Sequence, residues 1–108
     1  MAKLQLSPEV YDDLLSIKEY ISSELENPDA ALTTIKKITA AIRGLGTFPD
    51  RGAPLSSIID LHTDYRFIIC DSYLAFYRRD GDDVYVVRVL YGRRDYMKIL
   101  FDIMREED

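Results

Sequence analysis

The sequence predicts an α+β domain in which an N-terminal strand and an antiparallel helix hairpin pack on a three- to four-stranded antiparallel sheet, followed by a short C-terminal helix. Three observations predict it. Apolar residues recur at helical spacing between Val10 and Leu45, β-type runs joined by hairpin turns fill residues 65–90, and a short amphipathic segment follows Gly92. At 108 residues the chain suits a single domain spanning 1–108 with one core.

Each element has its own signal. KLQL (3–6) is a short strand that runs into a helix start, with Ser7 at the N-cap and Pro8 in the first helical position. Val10, Leu14, Ile17, Ile21 and Leu25 then form one apolar stripe along a helix ending near Leu25. Asn27 and Pro28 repeat the start signal. The second helix carries Ala31, Ile35, Ile38, Ile42 and Leu45 on one face and is expected to stop near Gly44 and Gly46. The short connection makes the pair an antiparallel hairpin.

GTFPDRGAPLSSIIDLHTD (46–64) is punctuated by Pro49, Gly52 and Pro54 and reads as a loop. YRFIIC (65–70) and YLAFYR (73–78) flank a turn at Asp71-Ser72, and RDGDD (79–83) turns the chain into VYVVRVL (84–90). Gly92 ends that strand, Asp95 is placed to cap a last short helix, and Tyr96, Ile99, Leu100 and Ile103 suit that helix's apolar side. If Phe67 and Ile69 face the helices, Arg66 faces outward. Val87 and Val89 inward likewise put Arg88 on the open face. The middle strand is apolar on both faces.

Composition narrows the function classes. An apolar fraction of 47% excludes disorder, and no apolar run approaches the roughly 20 residues of a membrane span. The N-terminus has no signal-peptide apolar core, so a cytoplasmic location is expected. One cysteine, Cys70, and one histidine, His62, cannot build a Cys/His zinc site, and neither a metal nor another cofactor is expected. Cys70 sits in an apolar run and reads as a buried thiol. The net charge is −5, which argues against a general nucleic-acid surface, but residues 65–105 hold eight Lys/Arg against six acids.

That concentration frames two readings of VYVVRVLYGRRDYMKILF (84–101). In one, Arg66, Arg88, Arg93 and Arg94 form a cationic site with Tyr91 and Tyr96 beside it, able to grip phosphate and stack on bases. A metal-free ribonuclease would need such cations together with a base, and no convincing base is present. His62, the one histidine, is of a type that commonly serves as a general base, yet nothing in the sequence brings it to the arginines. In the other reading Arg88 pairs with Asp71, Asp80 or a partner's carboxylate, and Arg94 beside Asp95 completes a helix start.

LSPEVYDDLLSIKEYI, FPDRG, YRFIICDSYLAFYR and VRVLYGRRDYMKIL, in this order and spacing, resemble the RelE/ParE superfamily of toxins from bacterial type II toxin–antitoxin modules. The resemblance covers nearly the whole chain. It implies the fold described above and a growth-inhibiting protein neutralised by a cognate antitoxin that wraps an extended or helical segment over it. RelE-like members cleave messenger RNA on the ribosome without a metal; ParE-like members poison DNA gyrase. A third possibility is an inactive relative kept as an antitoxin-binding or co-repressor subunit.

Carried over by position, Arg94 or Arg93 in GRRD (92–95) falls where RelE-like members keep a phosphate-stabilising arginine, and Arg66 matches a cationic strand position. With Tyr96 these are the catalytic candidates of the RelE-like reading. Arg88, Tyr91, Arg93 and Arg94 are the candidates for contacting target or antitoxin. The chain departs from the nuclease pattern at Leu74, where an arginine is usual, and at Ile68, where a lysine is usual. Its apolar-aromatic strand and VRVLYGR ending, with Tyr91 in place of a histidine, are similar to ParE-like sequences. The balance leans to the gyrase-directed branch.

Overall fold

The computed structural model describes residues 3–58, 62–92 and 98–100. The first strand, β1 (Leu4–Leu6), leads into helix α1 (Pro8–Glu19), which continues as a π-helical segment (Tyr20–Glu24). Helix α2 (Pro28–Thr47) returns antiparallel. Then come a two-residue strand β2 (Ala53–Pro54), a 3-10 turn (Leu55–Ser57), and the strands β3 (Arg66–Cys70), β4 (Tyr73–Asp80) and β5 (Asp83–Tyr91). Residues 98–100 are helical.

The hairpin and the meander follow the sequence. The Asn27 side chain accepts from the Ala30 N–H at 3.1 Å, a true N-cap. Cys70 and Tyr73 pair across the Asp71-Ser72 turn, and Asp80 pairs with Asp83 across Gly81-Asp82, where Gly81 takes a positive φ of 64°.

Four details differ. The sheet has five strands in the order β1-β5-β4-β3-β2 and is mixed, because β1 runs parallel to β5. A three-residue strand with no turn to a neighbour carries no directional signal, and β2, which ends in Pro54, is too short for a periodic one. The second helix passes through Gly44 and Gly46 to Thr47. Ser7 makes no side-chain cap; its hydroxyl donates instead to the Val87 carbonyl oxygen at 2.7 Å. The π-helical turn, closed by Leu25 N–H to the Tyr20 oxygen, is wider than an α turn. Leu25 therefore leaves the stripe and is 57% exposed, whereas Ile21 stays buried.

The sheet carries a core on each side. Toward the helices, Ile68, Cys70, Tyr73, Ala75, Tyr77, Val84, Val86 and Val89 pack on Val10, Ile17, Ile21, Ala31, Ile38, Ile42 and Leu45. On the far face Phe67, Phe76, Val87 and Leu90 pack with Leu55, Tyr65 and Leu100. That face is covered rather than open. The strand orientation expected from sequence is therefore reversed on β3: Ile68 and Cys70 face the helices, Phe67 faces away, and Ile69 is 70% exposed. Val87 and Val89 fall on opposite faces because an irregularity in the β4–β5 register pairs Tyr77 with Val86 but Phe76 with Arg88, a bulge that resets the alternation.

Candidate functional site

Three clusters of polar side chains stand out among the described residues, and Arg66 and Arg88 fall in two different ones. The first pins the FPDRG segment. Tyr77, fully buried on β4, accepts from the Gly52 N–H at 3.0 Å and donates to the Pro49 carbonyl at 2.8 Å. Arg66, the cross-strand neighbour of Tyr77, donates through Nη2 to the carbonyls of Gly52 (2.5 Å) and Asp50 (3.2 Å). Arg79 reaches the Asp50 carboxylate at 2.8 Å. Arg66 thus closes a loop and shares the helix-side face of the sheet with Tyr77.

The second cluster fixes α1 to β5. The last residue of β1, Leu6, pairs with Val86, so the edge of β5 beyond that point has no strand beside it. Helix α1 takes the strand's place. The Asp13 carboxylate accepts from Arg88 Nε at 2.8 Å, from Arg88 Nη2 at 2.7 Å and from the Val89 N–H at 3.0 Å. This is a bidentate ion pair with one extra backbone bond, and both partners are largely withdrawn from solvent. The bond to Asp13 strengthens the hold of Arg88 on its proton, against the opposing effect of desolvation. Arg88 stands opposite far-face Phe76, but its guanidinium reaches round the strand edge to α1, and its partner is neither Asp71 nor Asp80.

Beside this ion pair a groove of about 850 Å³ opens between the end of α1, the π-helical turn, the start of α2 and the ends of β3–β5. Arg88 and Tyr91 both line it, so the structure brings these two candidate contact residues together. Tyr73 and Tyr91 meet edge to face with centroids 5.7 Å apart. Burial, together with the neighbouring phenols of Tyr91 and Tyr20, raises the Tyr73 pKa above 10.0, keeping it a neutral hydrogen-bonding group. Asp12, Asp71 and Leu25 complete the rim.

The third cluster lies on the far face, where Arg78 stacks over the Tyr85 ring at 5.1 Å. Leu74, partly buried, also belongs to this face. His62 is exposed, and among the described residues no group of three or more His, Cys, Asp or Glu could hold a metal ion. No helix among them is long and apolar enough to cross a membrane. Cys70 is buried, and burial pushes its thiol pKa up against the opposing pull of Arg51.

A family model described as the ParE toxin of the parDE type II toxin–antitoxin system matches residues 4–96. The chain belongs to the ParE toxin family. Membership implies a cognate antitoxin as partner. Similar solved structures include the chromosomal ParDE toxin–antitoxin system from P. aeruginosa, with a TM-score of 0.70 and 20% identity over 84% of this chain and 96% of that one. A YoeB/ParE toxin from Agrobacterium tumefaciens gives a TM-score of 0.55 and 22% identity, covering 82% and 96%. At these identities the two establish a shared fold. No curated protein matches the chain.

In this ParE-family chain Arg66 on β3 and Arg88 on β5 are separated by β4 and make unrelated contacts. Arg93, Arg94 and Tyr96 lie outside the described residues; the chain leaves β5 at Gly92, whose N–H donates to the Ser72 carbonyl at 2.8 Å. Sequence reasoning missed Asp13 and Arg78. Asp13 had a legible signal, since it sits three residues after Val10 and four before Ile17, within the buried stripe of α1.

Proposed function

We propose that this ParE-family protein is a growth-inhibiting toxin that acts on DNA gyrase in the cytoplasm by binding rather than by cleaving RNA. The observation that carries this reading is the engagement of Arg66. Its guanidinium closes the 50–52 loop through two backbone carbonyls, and the neighbouring far face is built from Phe67, Leu74, Phe76 and Leu90. Ribonuclease chemistry without a metal needs cations aimed at a scissile phosphate in an accessible cleft. An arginine committed to the fold beside an apolar, covered surface suits that chemistry poorly. Arg93 and Arg94 are then target contacts, with Arg88 holding the fold and lining the groove.

The test is pulse labelling of DNA and protein synthesis within minutes of inducing the gene alone in a host without the antitoxin. A selective early fall in DNA synthesis is expected. An early collapse of protein synthesis would contradict the proposal and favour mRNA cleavage, and full growth with folded protein present would favour an inactive relative.

A further inference from the structure

The groove beside the Asp13–Arg88 pair has the makings of a recognition site for a cation set in an apolar segment. Its walls are Ile17, Ile21, Val89 and Leu90, and at about 850 Å³ it is within the size range of sites that enclose a ligand. Three phenols converge on it. Tyr73 is nearly buried and packs edge to face on Tyr91, while Tyr20 and Tyr91 remain 54% and 42% exposed on the rim. Exposed aromatic rings beside an apolar trough mark a surface built to be covered.

The charges decide what covers it. Arg88, the groove's cation, is already neutralised through the two hydrogen bonds it donates to Asp13. What remains is acidic: among the described residues Asp12 on the α1 side has no salt bridge, and Asp71 across the opening pairs with the exposed Lys37 ammonium at 3.5 Å. The chain as a whole is at −5, so the long-range field reinforces the local one. Tyrosine faces attract cations, and carboxylates at the rim fix them.

We propose that this groove is where the cognate antitoxin docks, through a segment carrying apolar side chains and at least one lysine or arginine that enters among Tyr20, Tyr73 and Tyr91 and meets Asp12 and Asp71. The proposal rests on the family assignment, which supplies the antitoxin; the groove and the basic character of its ligand come from the geometry. The occupant contributes the positive charge and this chain the negative. The Asp13–Arg88 pair lines the groove and ties α1 to β5 beneath it.

The test uses the full chain and the protein encoded beside it, titrated calorimetrically at low and high salt. Asp12→Lys and Tyr20→Ala are each expected to weaken binding about tenfold or more, with Asp12→Lys also flattening the salt dependence. Asp80→Lys makes the same charge change at the opposite end of the β4–β5 hairpin and is expected to leave the affinity within twofold. Binding by Asp12→Lys and Tyr20→Ala within twofold of the unmodified chain would overturn the proposal while leaving the family assignment standing. An equal loss in Asp80→Lys would overturn it in favour of general charge attraction. Sedimentation showing that the free chain self-associates through these same residues would overturn it in favour of a second copy. No binding by the unmodified chain would remove the partner assignment itself, and the proposal with it.

Discussion

Replacing Asp13 with Ala tests the claim that α1 serves as the missing strand beside the end of β5. The substitution removes three acceptor contacts at once, from Arg88 Nε, Arg88 Nη2 and the Val89 N–H. It leaves a guanidinium with 18% side-chain exposure unpaired and a backbone N–H without its partner. Breaking a buried pair by deleting one member costs about 3–5 kcal/mol, and an orphaned buried donor about 1–3 kcal/mol. The two are not additive, and Arg88 retains a path to water, so the lower end applies. An overall loss of about 3 kcal/mol is expected, a large share of the roughly 5–15 kcal/mol that holds a domain of this size. Urea denaturation of the purified protein reads it directly, as a fall in midpoint with an unchanged slope. In a double-mutant cycle, Asp13→Ala with Arg88→Met should show a coupling of at least about 1.5 kcal/mol. A loss below about 1 kcal/mol with no coupling would refute the reasoning and leave the pair a surface contact.

Gly52→Ala would place a Cβ 2.4 Å from the Phe67 carbonyl and 2.7 Å from the Tyr77 hydroxyl, so a loss of about 1–3 kcal/mol is expected in the same assay. Tyr77→Phe, which leaves the Gly52 N–H without an acceptor, should cost about 1–3 kcal/mol. Cys70 and Tyr73 both have pKa values raised chiefly by burial, from ordinary values of 9.0 and 10.0. For groups raised in the folded state, the stabilisation is complete below the unfolded pKa and is lost as pH rises through the folded one. Stability should therefore decline above about pH 9, and Cys70→Ala should make the first part of that decline shallower; a pH profile identical to that of the unmodified chain would contradict this. Arg66→Ala should lower the thermal midpoint yet preserve growth arrest. The double substitution of Arg93 and Arg94 by Ala should abolish arrest in a folded protein, and undiminished arrest would remove both from the target-facing set.

The helix hairpin was legible because its two stripes have a clear 3.6-residue period and Asn27-Pro28 marks the break between them. The turns at Asp71-Ser72 and Gly81-Asp82 were legible from their residue types. Strand facing was not. β3 and β4 place apolar side chains on both faces, so alternation carries no information about which is inward, and the β4–β5 irregularity then shifts the parity of Arg88 relative to Val87. Arg88 reaches Asp13 for another reason: β5 is a sheet edge beyond Val86, so a long side chain opposite far-face Phe76 can pass round that edge to α1. Asp13 resembles an ordinary polar helix-surface residue, although its position relative to Val10 and Ile17 lies within the buried stripe. A carboxylate there demands a cation, and an arginine in the middle of an apolar strand is the matching half. Taken as a pair, the two anomalies identify each other. The role of FPDRG was hidden for a different reason: its anchor, the Tyr77 hydroxyl, lies 25 residues from Gly52 and looks from sequence like one more strand aromatic.

The central claim is that this ParE-family chain binds gyrase and does not cleave RNA. The most direct measurement adds the purified protein to DNA gyrase at saturating concentration and follows supercoiling of relaxed plasmid. Loss of supercoiling, with messenger RNA left intact in a parallel translating-ribosome assay, is the predicted result. Undisturbed supercoiling, accompanied by cleavage of the ribosome-bound message, would contradict it.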